Sequence, residues 1–183
     1  MPESRISQTD SDFAGGLPEG SKIVLLKSGK EVLKTDVSWF DTYLDAVGCP
    51  EGCPDPDVKV LCSTGWTDMG EMARRTFWEH ESTVTVAVRK GKASFACGTV
   101  LPIIRGGKQT ACEVEHLSAG DTVIMHDYMM LRNGHTDPAK QVIVRHQGVM
   151  DKKKKPAAGL RLYHISTASG DIIADSIVVY TSK

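Results

Sequence analysis

The chain has 183 residues, 40% hydrophobic and 25% charged, which are the proportions of an ordinary globular domain. Its 22 basic and 23 acidic residues leave a net charge of −1, so nothing in the balance marks nucleic acid or an anionic membrane as a partner. No run approaches the ~20 apolar residues of a spanning helix. The polar opening MPESRISQTDSDFAGGLPEG has no apolar signal core, and the chain reads as cytoplasmic.

In chain order, residues 1–20 read as a polar arm, rich in Ser, Asp, Gly and Pro. Residues 21–66 read as a strand-helix segment. SKIVLLKSGKEVLK gives two short strands about a Ser-Gly-Lys turn. Asp36 then caps a helix through VSWFDTYLDAV, with Trp39, Phe40, Tyr43, Leu44 and Val47 on one face, and Gly48 stops it. CPEGCPDPD is a proline-stiffened loop, and VKVLC is a strand.

From 67 to 150 the pattern is β. The run through Thr76-Phe77-Trp78 favours extended chain over helix. STVTVAVRK alternates apolar and polar, and ASFAC returns after the turn at Gly91. TVLPIIRGGKQTACEVEHL holds two strands about Gly106-Gly107, followed by DTVIM and QVIVRHQGV. Residues 151–183 comprise a solvated KKKK connector and a C-terminal hairpin, LRLYHIS and DIIADSIVVYTS turning at Ala168-Ser169-Gly170. Short strands at this spacing predict a mainly β, closed or sandwiched architecture with a short N-terminal α/β segment. The five cysteines, Cys49, Cys53, Cys62, Cys97 and Cys112, are odd in number and lack a second close pair, which favours buried or free thiols over a disulfide framework or a structural zinc.

Two stretches, WEHESTVTVAVRKGKASF and LSAGDTVIMHDYMMLRNGHTDPAKQVIV, resemble the two motifs of the cupin family over roughly residues 70–149. The resemblance implies a jelly-roll β-barrel around a small-molecule pocket. It also implies a divalent transition metal held by three histidines and a glutamate. Carried over in register, the first motif's histidines fall on Trp78 and His80 and its glutamate on Val84. The second motif's histidine falls near Leu131, and a usual proline falls on His126. His80 is then the sole metal ligand in register, and one imidazole does not hold a metal tightly. The expectation is a degenerate or absent metal site, with Trp78, Val84 and Leu131 filling it, and no required cofactor.

A metal-free pocket of this kind takes a small polar or carboxylate-bearing metabolite. Arg74, Trp78 and His126 are the candidate ligand-binding residues, with Arg74 clamping a carboxylate. His80, Tyr128 and Glu79 are the candidate catalytic residues, His80 as acid or base and Tyr128 as donor to an oxyanion.

Two other readings stand beside it. SFACGTVL, VEHLSAGD and LRLYHISTASGD resemble blocks of hedgehog/intein (Hint) autoprocessing domains. That resemblance implies a nucleophile at Ser94 or Cys97 and an acyl shift assisted by His164, although the family's Thr before the histidine falls on Arg161. The third reading is a structural or virion-type jelly roll. The apolar hairpin DIIADSIVVYTS would leave a strand edge to pair across a two-fold, so a homodimer is expected.

Overall fold

The computed structural model describes residues 15–44 and 57–181. The expected arm before Gly15, the helix beyond Leu44, its stop at Gly48 and the cysteine-proline loop with Cys49 and Cys53 lie outside the described residues.

The fold is mainly β, and the described residues form fourteen strands: β1 (Leu17–Pro18), β2 (Lys22–Lys27), β3 (Glu31–Asp36), β4 (Val58–Cys62), β5 (Gly65–Thr76), β6 (Ser82–Val88), β7 (Gly91–Ala96), β8 (Val100–Arg105), β9 (Lys108–Glu113), β10 (Thr122–Asp127), β11 (Ile143–Pro156), β12 (Arg161–Thr167), β13 (Asp171–Ala174) and β14 (Ile177–Tyr180). One sheet has the order β1-β12-β5-β4-β2-β3, and the other β13-β14-β10-β11-β6-β7, with β8 and β9 continuing from β10.

Two long strands organise both sheets. β5 pairs first with β4, Asp68 opposite Lys59, and then with β12, Arg74 opposite Tyr163. β11 pairs first with β10 and then, from Val149 onward, with β6, the register of that second pairing shifting between Val149 and Asp151. A strand that passes from one partner to another must bend, and the bulge supplies the bend. Val84, Val86 and Val88 alternate into the core as the sequence pattern predicts. In β2 four consecutive residues, Ile23–Leu26, are buried, because both faces of that strand are covered.

Several sequence expectations change here. Lys152–Lys155 is not a connector; it is strand, paired with Thr83–Val86. LRLYHIS and DIIADSIVVYTS do not form one hairpin, because β12 lies in the first sheet and β13 in the second. The hairpin is β13–β14, turned by Asp175-Ser176 at φ 49° and 68°, as a two-residue loop between twisted strands requires. Its apolar side chains, Ile172, Ile173, Ile177, Val178 and Val179, are buried in the chain's own core. β13 is nevertheless the outer strand of its sheet, so the strand edge on which the homodimer expectation rests is present. Trp78, Val84 and Leu131 do not fill one shared site. Trp78 is 57% exposed, while Val84 and Leu131 belong to separate apolar clusters.

Ion pairs tie the helix Trp39–Leu44 to the sheet. Asp41 accepts from Arg74 (2.7 Å), Arg161 (2.6 Å) and the Tyr163 hydroxyl (2.8 Å). Burial and the Asp41 carboxylate together push the Tyr163 phenol up to about 12. Arg75 grips Glu81 with two nitrogens at 2.5 and 2.7 Å and lies over the Trp78 ring.

Asp175 joins the hairpin turn to β2. Its Oδ1 accepts from the Lys22 amide at 3.1 Å, and its own amide donates to the Lys22 carbonyl at 2.8 Å. Burial raises its carboxyl from 3.8 to about 6. A carboxyl raised on folding stabilises most below its unfolded pKa, and that contribution disappears as pH rises through 6. Asp175→Asn keeps the acceptor and tolerates the positive φ. We expect it to raise stability above pH 7 by on the order of 1–2 kcal/mol, discounted for partial exposure, and to change little at pH 4. Thermal melts of both proteins across that range test this; an equal shift at every pH would count against it.

Candidate functional site

The two ends of the described chain meet at one cleft. β1 runs antiparallel to β12, with Leu17 opposite Tyr163. The residues just before it, Gly15 and Gly16, line a water-sized cavity of about 30 Å³ together with Thr99, His164, Tyr180 and Thr181.

Thr99 fixes the entering chain. Its buried hydroxyl accepts from the Gly16 amide at 2.9 Å and donates to the Ala96 carbonyl at 2.6 Å. The Ala96 amide in turn donates to the Gly16 carbonyl at 3.1 Å. The backbone approaches so closely that side chains are excluded. A Cβ on Gly15 would lie 2.3 Å from Thr99 Oγ1, and one on Gly16 would lie 2.8 Å from the Tyr163 carbonyl. Gly16 also holds φ 139°, a region that L side chains rarely adopt.

His164 stands beside this strap, its Nδ1 3.3 Å from where a Gly16 Cβ would be. Burial and the nearby Arg75 charge lower its pKa to about 4, so it is neutral at pH 7. On the opposite wall the Thr181 amide donates to the Gly170 carbonyl at 2.9 Å, and its hydroxyl lies 2.9 Å from that of Thr167. This cleft can hold a backbone segment rigidly beside a neutral imidazole.

The residues singled out from the sequence scatter over the molecule. Arg74 is bonded to Asp41 of the same chain rather than poised for a ligand carboxylate. Trp78, Glu79 and His80 sit on an exposed turn between β5 and β6, with the His80 ring edge-on to Trp78. Tyr128 is buried in an apolar cluster, where burial raises its phenol. His126 is buried beside a different cavity, with Cys62, Gly65 and Val144, and burial lowers its pKa. Among the described residues no three His, Cys, Asp or Glu side chains gather as a metal site.

The expected Hint nucleophiles also lie apart from His164. Ser94 faces a cavity with Lys92 and Lys155, its hydroxyl 2.7 Å from that of Thr85. Cys97 lines a third cavity with His80 and Lys154. Burial, with the Glu115 charge, raises its pKa and keeps it a thiol at neutral pH. His164 alone of the named residues is at the cleft where the ends meet. Thr99 and the Gly15-Gly16 strap were missed, because a threonine after a short strand and a glycine pair in a polar arm carry no catalytic pattern.

No family model matches the chain, and no curated protein matches it. Solved structures do, and those that match are inteins. An intein from a hyperthermophile superposes with a TM-score of 0.69 at 12% identity, over 91% of this chain and 99% of that one. The transcription factor IIB Mvu mini-intein gives 0.68 at 12% identity, over 92% and 99%. A DnaB intein from Synechocystis gives 0.60 at 10% identity, over 93% and 100%. At these identities the likeness is one of fold. The cupin barrel expected from the two motifs gives way to it, since the strands of those motifs, β6, β7, β10 and β11, lie side by side in one sheet. No described helix is long and apolar enough to cross a membrane.

Replacing Thr99 by Val removes both the acceptor for Gly16 and the donor to Ala96. We expect a loss of about 1–3 kcal/mol in urea denaturation, with Thr99→Ser retaining most of the stability. Equal losses for both variants would assign the effect to packing.

Proposed function

We propose that the chain is a Hint-type domain of the self-processing kind in which the junction at Gly15–Gly16 is held but does not react. The observation that carries this reading is the strap itself: the Gly16 amide bonded to Thr99, the His164 imidazole alongside, and Thr181 across the same cleft. An intramolecular acyl shift needs a hydroxyl or thiol on the residue that follows the bond to be broken. Gly16 has none, and the space where its side chain would stand is occupied. The cleft therefore serves as a clasp that closes the domain upon its own ends.

A second reading rests on Thr181, whose hydroxyl lies at the same cleft. Attack of that oxygen on the Tyr180 carbonyl would form an ester and break the Tyr180–Thr181 amide. The hydroxyl proton would end on the freed amine, and water would then open the ester.

Intact-mass measurement of the chain with a folded reporter fused at each end, with and without hydroxylamine to open esters, tests both. The clasp reading expects one unbroken mass under either condition. A break before Thr181 would replace it with the second reading. A break at Gly15–Gly16, Ser94 or Cys97 would overturn both.

A further inference from the structure

The first half of β11 has one paired edge and one open edge. Residues Ile143–Gly148 pair with Asp127–Thr122 of β10, whereas β6 pairs only from Val149 onward. Among the described residues no strand lies against the other edge of 143–148.

The direction of the backbone groups follows from two bonds. The Val149 amide donates to the Asp121 carbonyl, and the His126 amide donates away from β11, to Ser176 on the β14 side. Antiparallel pairs alternate between bonded and non-bonded. Ile143, Arg145 and Gln147 therefore turn their amides and carbonyls toward β10, while Val144, His146 and Gly148 turn theirs outward. The edge is accessible: Val144 is 55% exposed, Ile143 is 48% exposed, and a Cβ on Gly148 would meet nothing within 4 Å. An open strand edge of this kind invites pairing.

Side chains along the edge say what would pair. Cross-strand partners share a face, so Val144 lies on the face of His126 and Arg145 on that of Met125. On the first face a cavity of about 250 Å³ opens beside Val144, lined also by Cys62, Gly65, His126, Pro138 and Val142. On the other face the Nε of Arg145 is buried with no hydrogen-bond partner. The stretch Ile143–Gly148 carries Arg145 and His146 and no acidic residue.

We propose that this edge binds an extended peptide segment of a partner protein in which apolar and acidic residues alternate. Added as a further strand, it would bond to the outward groups of Val144 and His146. One apolar side chain would enter the cavity beside Val144, and the next residue's carboxylate would reach Arg145 on the opposite face. A second copy of this chain fits poorly. Antiparallel self-pairing about a two-fold centred on Arg145 sets two arginines directly opposite, where like charges are unfavourable.

The test uses the full chain and two labelled synthetic peptides, one alternating valine and glutamate and one alternating valine and lysine. Fluorescence anisotropy reads affinity, and amide hydrogen exchange reads protection of Val144 and His146. The proposal expects the valine-glutamate peptide to bind and to protect both amides. Arg145→Glu should weaken it by about tenfold or more and shift preference to the lysine peptide. His146→Pro, which removes an outward amide and leaves the β10 ladder intact, should abolish binding of both. Folding of each variant is checked by its melt, and the charge reversal at the exposed edge stands as the test if the proline variant does not fold. No binding by the valine-glutamate peptide would overturn the proposal. Equal binding of both peptides, or a concentration-dependent dimer that Arg145→Glu abolishes, would overturn it as well.

Discussion

A buried hydroxyl ties the entering chain to the rest of the fold, beside the pairing of β1 with β12. Thr99 takes the Gly16 amide and gives its proton to Ala96, so the chain that enters the fold is bonded to the turn between β7 and β8. Thr99 is buried and Gly16 half-buried, so an amide left without this partner would lose about what a hydrogen bond is worth. The glycines at 15 and 16 follow from that closeness, because the backbone lies where a side chain would otherwise be. From the strap the chain passes into β1, which places Leu17 against Tyr163 and so brings β12 and His164 to the same cleft.

The two long strands do the complementary work of joining the sheets. Each is shared between two partners, β5 between β4 and β12, β11 between β10 and β6. A mainly apolar core then runs continuously from β2 through β6 and β8 to β13 and β14. The charged residues serve this frame. Asp41, Arg74, Arg161 and Tyr163 form one bonded cluster, which explains why an arginine that suggests a ligand clamp in the sequence is already occupied by its own chain.

Much of the strand content was legible. Alternation in STVTVAV, the glycine turns at 91 and 106–107, and the Ser-Gly-Lys turn after β2 all announce local geometry, and local geometry is what sequence periodicity encodes. Two expectations failed for separate reasons. Lys152–Lys155 reads as a solvated connector, and Lys153–Lys155 are indeed exposed, but solvated lysines can equally form a strand when its apolar neighbours lie on the strands beside it. The break at Ala168–Gly170 reads as a hairpin because small polar residues turn the chain, but a turn does not say whether the next strand returns to the same sheet. The site was less legible still. His164 was named, while its surroundings come from distant parts of the chain. Gly16 reaches Tyr163 and His164 of β12 only through the closure of the fold. The motif comparison that pointed to a cupin drew on strand-turn-strand spacing, which any antiparallel sheet shares. The shorter Hint resemblance pointed to the fold, although Ser94 and Cys97 lie in other cavities.

The meeting of Gly16 and Thr181 at one small cleft has a consequence for how such a unit sits in a longer polypeptide. A domain whose ends lie close together spans almost no distance between the segments that flank it. Placed within a surface loop of another protein, it would lengthen the contour of that loop while leaving its ends nearly where they were. The host's loop-closure entropy depends only weakly on loop length, so its fold would be little disturbed. The closeness of these two ends thus makes the fold easy to accommodate within such a loop.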